Sequence, residues 1–317
     1  MAPSLDVTFF LFFCLVFGQL IKQFANWTGI PYTSLITVFG MILGVFCHGD
    51  GRFGTAMRTW SEFDPHLMLF VFLPALIFES AFNSDFHIFS KIFGQCLLLA
   101  GPILLGCTGL TAVLMKYILR YGMIEDESKA FSFTDALLYG AIVSATDPVA
   151  VVALLKELGA PAQLSTMIEG ESLLNDGTAM VVFFVLLDVA EGKEFNGGEA
   201  VVKFLRLSGG GPILGIIIGS IVIMILKRIY NQYVLEVNMT ICACYMMFWL
   251  SEFSPLHVSG ILALVGLGFT MSFVGKYFIS PASEHALHHV WGYVGFVAES
   301  LIFIVSGVII GERIVIG

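Results

Sequence analysis

Two neighbouring stretches decide how this chain is read: Leu137–Leu158, LLYGAIVSATDPVAVVALLKEL, and Ser165–Leu187, STMIEGESLLNDGTAMVVFFVLL. Both are long and apolar enough to cross a bilayer, yet both carry carboxylates near their middles. An Asp at the centre of a span costs about 2.5–3.5 kcal/mol on insertion scales, so each such group needs a physical reason. In the first stretch Pro148 lacks an N–H, its ring clashes with the preceding turn, and it disfavours α geometry at Asp147. The spacing therefore predicts a helix broken near Thr146–Asp147, at membrane depth. Unwound backbone survives there only against protein or a water-filled cavity, and carbonyls freed between half-helices are how transporters build ion sites. The plainer alternative is a proline kink with Asp147 acting only as a cap.

In the second stretch Glu171 and Asn175 are four residues apart, as are Ser172 and Asp176, so the pairs stack on adjacent stripes of one helix face. Gly177 and Thr178 follow and permit close approach of another helix. A carboxylate beside an amide and a hydroxyl forms an oxygen-rich half-cage for a small hard cation. In a cavity poor in water, a proton and that cation would compete for the same carboxylate oxygens. The alternative is a buried hydrogen-bonded network with no part in transport.

Working outward, the whole chain is apolar. Of 317 residues, 57% are hydrophobic and only 12% charged, where a soluble domain carries about 25% charged, and mean hydropathy is +0.91. Ten segments qualify as spans: 7–24, 30–47, 66–82, 92–118, 133–155, 164–188, 207–226, 233–250, 257–275 and 290–311. The polar stretches between them are too short for domains, so the expected architecture is one all-α, multi-pass membrane unit over 1–317. A net charge of −9 gives no electrostatic footprint for nucleic acid. The six cysteines, Cys14, Cys47, Cys96, Cys107, Cys242 and Cys244, lie inside apolar runs and read as small core residues. Asp6 precedes the first apolar run, and no basic region does, so this run reads as a span and not a cleaved leader. Counting loops alternately, nine Lys/Arg fall on the N-terminal side and six on the other, a slight bias toward a cytoplasmic N-terminus. The sequon Asn26-Trp27-Thr28 would report topology if glycosylated.

Other ionisable groups carry less. Glu299, a lone acid in the tenth span, reads as one half of a structural ion pair, and Glu79, near a span end, as structural. His285, His288 and His289 have the spacing of a helical metal site, but a loop entering a span is a commoner place for histidine. No metal beyond a transported Na+ and no cofactor is expected. Nor is an enzyme: there is no G-x-S-x-G elbow, no H-E-x-x-H helix and no G-x-G-D motif. A channel lacks repeated filter residues.

At SATDPVAVVALLKELGAP and STMIEGESLLNDGTAMVVF the chain resembles the monovalent cation:proton antiporter (Na+/H+ exchanger) superfamily, in its Thr-Asp-Pro and Asn-Asp motifs. The branch it most resembles holds plant salt-overly-sensitive plasma-membrane exchangers and sperm-type exchangers. IPYTSLITVFGMILG, FLPALIFESAF, HVSGILALVGLG, ALHHVWGYV and SLIFIVSGVII resemble further stretches of that branch in the same order, so the likeness spans about residues 7–311.

The resemblance implies an inverted-repeat fold of thirteen helices, about ten of them present here. It implies core-type helices over about 92–188 and dimerisation or scaffold helices over about 7–82 and 207–311. It makes Asp176 the carboxylate that alternately holds cation and proton, with Asn175 beside it. Ser172 supplies a further oxygen, and Thr146 and Asp147 sit at the crossover of broken helices. Glu171, Glu299 and Pro148 are supporting residues. One titrating carboxylate favours electroneutral exchange of one H+ for one Na+, with Li+ or K+ as further cations. A homodimer in the plasma membrane, with an extracellular N-terminus, is also implied, and the last point overrides the charge count. The family's last three helices are expected to be absent, including the partner of the Thr146–Asp147 break and an arginine for Glu299. That motivates an alternative function, a transport-incompetent truncated subunit that dimerises with a full-length exchanger and modulates it.

Overall fold

The computed structural model describes residues 3–45, 65–119, 132–146, 148, 151–152, 154–155, 158–192, 197–229, 231–253 and 258–316. Every apolar run expected to span contains a helix: α1 (Pro3–Thr28), α2 (Tyr32–Val45), α3 (Pro65–Asn83), α4 (Phe86–Leu98), α5 (Leu104–Val113), α6 (Phe133–Ser144), α7 (Ala162–Ala190), α8 (Gly197–Leu226), α9 (Tyr233–Phe253), α10 (Gly260–Phe273) and α11 (Pro281–Ile316). The described residues contain no strand. By compactness the chain sorts into two units, residues 1–76 with 288–317, and residues 77–287.

Helices α4 and α5 form one continuous rod across residues 86–118, joined by a π-helical turn, Leu99–Ile103, that takes up Pro102. A π turn widens the backbone where proline removes a hydrogen bond. Asp85 starts the rod, its side chain accepting from the N–H groups of His87 at 2.9 Å and Ile88 at 3.3 Å. Six helices among the described residues are long and apolar enough to cross a membrane, and four apolar helices are shorter.

Three expectations are corrected. The ninth span is the 14-residue α10, capped by Ser259 and buried around most of its circumference. At 1.5 Å per residue it reaches about 21 Å, short of the roughly 30 Å hydrocarbon core that the expected 257–275 span would cross. The helix of the tenth span, α11, begins at Pro281 and not near residue 290, which places His285, His288 and His289 on a helix instead of a loop. Cys14, Cys96 and Cys244 are buried as expected, whereas Cys107 and Cys242 are exposed on their helices; Cys47 lies outside the described residues.

In the first unit α2 crosses α11 through paired small residues. Gly40 and Gly44 on one helix face Gly307 and Gly311 on the other, and a Cβ added at Gly307 would fall 2.9 Å from the Gly40 Cα. Backbone-to-backbone approach of this kind replaces the hydrophobic drive that lipid removes. Phe10, Cys14, Ile36, Leu301, Ile304 and Val305 pack beside that crossing, and the Tyr32 hydroxyl meets Ser300 Oγ at 2.6 Å.

In the second unit Glu236, wholly buried in the first turn of α9, ties two helix starts together. It accepts from the N–H groups of Gln232 at 3.1 Å and Ser280 at 2.9 Å, and from Ser280 Oγ at 3.2 Å. Both N–H donors belong to helix N-termini, where a carboxylate satisfies otherwise orphaned groups.

Candidate cation site

Helix α6 stops at Ser144, and Ala145 turns to extended geometry at φ −76°, ψ 124°. Helical bonding resumes with Val152 N–H donating to the Pro148 carbonyl at 2.8 Å. The break thus begins one to two residues before the Thr146–Asp147 pair predicted from sequence. Proline disfavours α geometry at the residue before it, and here the chain leaves the helix upstream of Pro148. Asp147 lies outside the described residues.

A terminating helix leaves its last carbonyls without N–H partners. Here the side chains of α7 supply them across the gap. Ser172 Oγ donates to the Thr146 carbonyl at 3.2 Å, and Asn175 Nδ2 donates to the Ser144 carbonyl at 3.3 Å. Asn175 Nδ2 also donates to Glu171 Oε1 at 3.2 Å, across the four-residue spacing anticipated from sequence. Both partners of that amide nitrogen are acceptors, which settles which end of the amide is which. Its other end, Oδ1, is buried and accepts no hydrogen bond among the described residues, in a side chain only 3% exposed. An oxygen so placed suits a cation better than it suits a dry interior, because a buried acceptor without a donor costs free energy.

Ser172 is buried with Asn175, and Asp176 is half-buried on the same helical turn. Thr146 is exposed, and it joins the group through its main-chain carbonyl. Pro148 is half-buried beyond the break. Gly177 lets Leu262 of α10 lie against α7, where an added Cβ would fall 2.5 Å from Leu262 Cγ. Thr178 donates back to the Leu174 carbonyl and so stays within its own helix.

Glu79, on the end of α3, accepts from Asn83 Nδ2 at 2.7 Å. Glu299 lies in the first unit, whereas Ser172, Asn175 and Asp176 lie in the second. Among the described residues no three His, Cys, Asp or Glu side chains gather as metal ligands, the three histidines of α11 included.

The profile of the family described as "Sodium/hydrogen exchanger, transmembrane" matches residues 9–316. The chain belongs to the sodium/hydrogen exchanger family. Among its relatives, "Sodium/hydrogen exchanger 7" of Arabidopsis thaliana is 38% identical over 99% of this chain and 27% of its own length. "Sodium/hydrogen exchanger 8" of the same plant is 36% identical over 100% of this chain and 41% of its own. The chain therefore spans less than half of either plant exchanger. The solved sodium proton antiporter MjNhaP1 of Methanocaldococcus jannaschii superposes with a TM-score of 0.74 at 18% identity, over 97% of this chain and 71% of that one. The fold is accordingly that of an all-α, multi-pass antiporter.

Within that exchanger fold, sequence reasoning missed Ser144, Gly140 and Thr108. Ser144 contributes the carbonyl that receives Asn175 and donates its own hydroxyl to the Gly140 carbonyl at 2.7 Å. The available signal was the pair of small residues four apart, Gly140 and Ser144, ending the run before the Thr-Asp-Pro break.

Proposed function

We propose that this chain carries the ion-translocating machinery of a secondary antiporter that exchanges Na+ for H+. Asp176 is the carboxylate shared by the two ions, Asn175 Oδ1 and Ser172 Oγ are oxygen ligands, and Thr146 with Asp147 completes the site from the broken helix. The observation that carries this reading is the buried Asn175 Oδ1, which accepts no hydrogen bond among the described residues, beside two main-chain carbonyls freed by a helix break. Hard monovalent cations take oxygen ligands of this kind. Membership of the exchanger family supports the reaction type.

The mechanism follows from charge. With Na+ bound, the Asp176 carboxylate is neutralised by the metal ion; with Na+ gone, a proton takes its place. Either loaded form buries no net charge, whereas the empty carboxylate does, and moving it through a low-dielectric barrier is expensive. Exchange is thereby coupled, and one carboxylate gives electroneutral one-for-one turnover, with Li+ or K+ competing at the same oxygens. In this reading helices over about 92–188 carry the ion, those over about 7–82 and 207–311 form the scaffold of a homodimer, and the protein works in the plasma membrane.

The test is Na+-driven proton flux in proteoliposomes, with Asp176→Asn alongside. Flux in the wild type that disappears in the variant supports the assignment. Flux that persists in the variant assigns the shared carboxylate elsewhere, and a reversal point that moves with membrane potential overturns electroneutrality.

A further inference from the structure

We propose that Thr108 is a positioning residue of the cation site, acting with Gly140 to hold the broken end of α6 at the height where the Ser144 carbonyl meets Asn175. The proposal rests on the antiporter reading of that site. Thr108 lies on α5 and is 3% exposed. Its hydroxyl donates to Ser144 Oγ at 3.4 Å, a long contact, while Ser144 Oγ donates to the Gly140 carbonyl at 2.7 Å. Beneath that chain of hydroxyls the two backbones touch, since a Cβ added at Gly140 would fall 2.5 Å from the Thr108 carbonyl oxygen. Leu104, Ala141, Ala179 and Val182 close the apolar side of the same contact, joining α5, α6 and α7.

The geometry matters because Thr108 and Gly140 fix the end of α6 on its α5 side, while Ser172 and Asn175 hold it on the α7 side. Its last carbonyls have no following turn to receive them, and the Ser144 carbonyl depends on one side-chain donor, Asn175 Nδ2, at 3.3 Å. That bond is already near the upper limit of useful length, so a shift of a few tenths of an ångström at the α6 end releases the amide. Release of Nδ2 turns Oδ1 as well, since both belong to one planar group. Thr108 touches no ion in this scheme; it sets where the Asn175 oxygen points and therefore how tightly cation is held.

The experiment compares Thr108→Val, Thr108→Ser and Gly140→Ala with wild type, reading Na+ dependence of proton flux in proteoliposomes. 22Na+ binding to the purified protein is measured in parallel, so that affinity is read whether or not turnover is fast. Thr108→Val is expected to weaken Na+ affinity about two- to threefold with the maximal rate little changed, the low end for one lost hydrogen bond, as suits a 3.4 Å contact. Thr108→Ser should restore wild-type affinity, and Gly140→Ala should weaken it further. Unchanged affinity in Thr108→Val overturns the proposal, as does an equal loss in Thr108→Ser. Asp176→Asn separates the two levels: if it abolishes flux and binding while Thr108→Val matches wild type, only the positioning role is lost, whereas binding that survives in Asp176→Asn removes the site reading itself.

Discussion

Ser172 Oγ donates to the main-chain carbonyl of Thr146 across 3.2 Å, joining the middle of one span to the broken backbone of its neighbour. Main-chain carbonyls do not vary with mutation at their own position, so the side-chain partner is the handle by which this contact is tested. Removing the hydroxyl with Ser172→Ala deletes a proposed oxygen ligand and leaves the carbonyl without its donor. Na+ affinity, from the concentration dependence of 22Na+ uptake, is expected to fall about two- to tenfold, the range of one hydrogen bond. Wild-type affinity in this variant would remove Ser172 from the site.

Asn175→Asp places a second carboxylate where a neutral amide now stands. Two titrating groups in one site permit two protons to exchange for one Na+, moving one net charge per cycle, so the exchange should become sensitive to membrane potential. The readout is the reversal point of flux at imposed potentials. A reversal point that stays independent of potential in this variant means the residue at 175 does not set stoichiometry.

The crossing of α2 and α11 predicts a difference between glycines. At Gly307 an added Cβ meets backbone atoms of α2, and a side chain there is expected to cost roughly 1–3 kcal/mol through overpacking. Gly94 and Gly106 have nothing within 4 Å of an added Cβ, so alanine there should be neutral or stabilising by up to about 1 kcal/mol through helix propensity. Thermal melting in detergent ranks the three variants. A Gly307→Ala protein as stable as Gly94→Ala would contradict the close approach.

Glu236→Ala removes an acceptor shared by three donors at the starts of α9 and α11. Hydrogen bonds to charged groups contribute about 1.5–3 kcal/mol each, and the buried N–H groups left behind are costly. A loss of about 3 kcal/mol or more is expected in detergent unfolding, with Glu236→Gln less affected because its amide oxygen still accepts. Equal stability of Glu236→Ala and wild type would show that the clasp contributes nothing.

Much of this architecture is legible in the order of residues. The apolar runs, the proline after Asp147 and the four-residue spacing of Glu171 and Asn175 are local facts, and local facts survive folding. A run of about twenty apolar residues has no alternative in a bilayer to an internally bonded helix. Proline removes a helical hydrogen bond wherever it falls in the interior, though the one at Pro148 opens a break while Pro74, Pro102 and Pro212 stay within helices. Residues four apart meet on any helix, as Asn175 and Glu171 do. By themselves these determined the all-α membrane fold, the position of the break to within two residues and the helix face that carries the polar group.

What the tertiary structure decided is everything that depends on a partner far along the chain. That the Ser144 carbonyl, not a residue of the Thr-Asp-Pro motif, receives Asn175 is set by how α6 meets α7, and that α6 reaches so close to α5 is set by Gly140 resting on Thr108. That α10 is short and internal, and that Cys107 and Cys242 face outward, follow from which helices surround them. In lipid an apolar helix face gains little by turning inward, so hydrophobicity alone does not say which side is buried. Close packing and the pairing of polar groups decide it, and these are properties of two helices together.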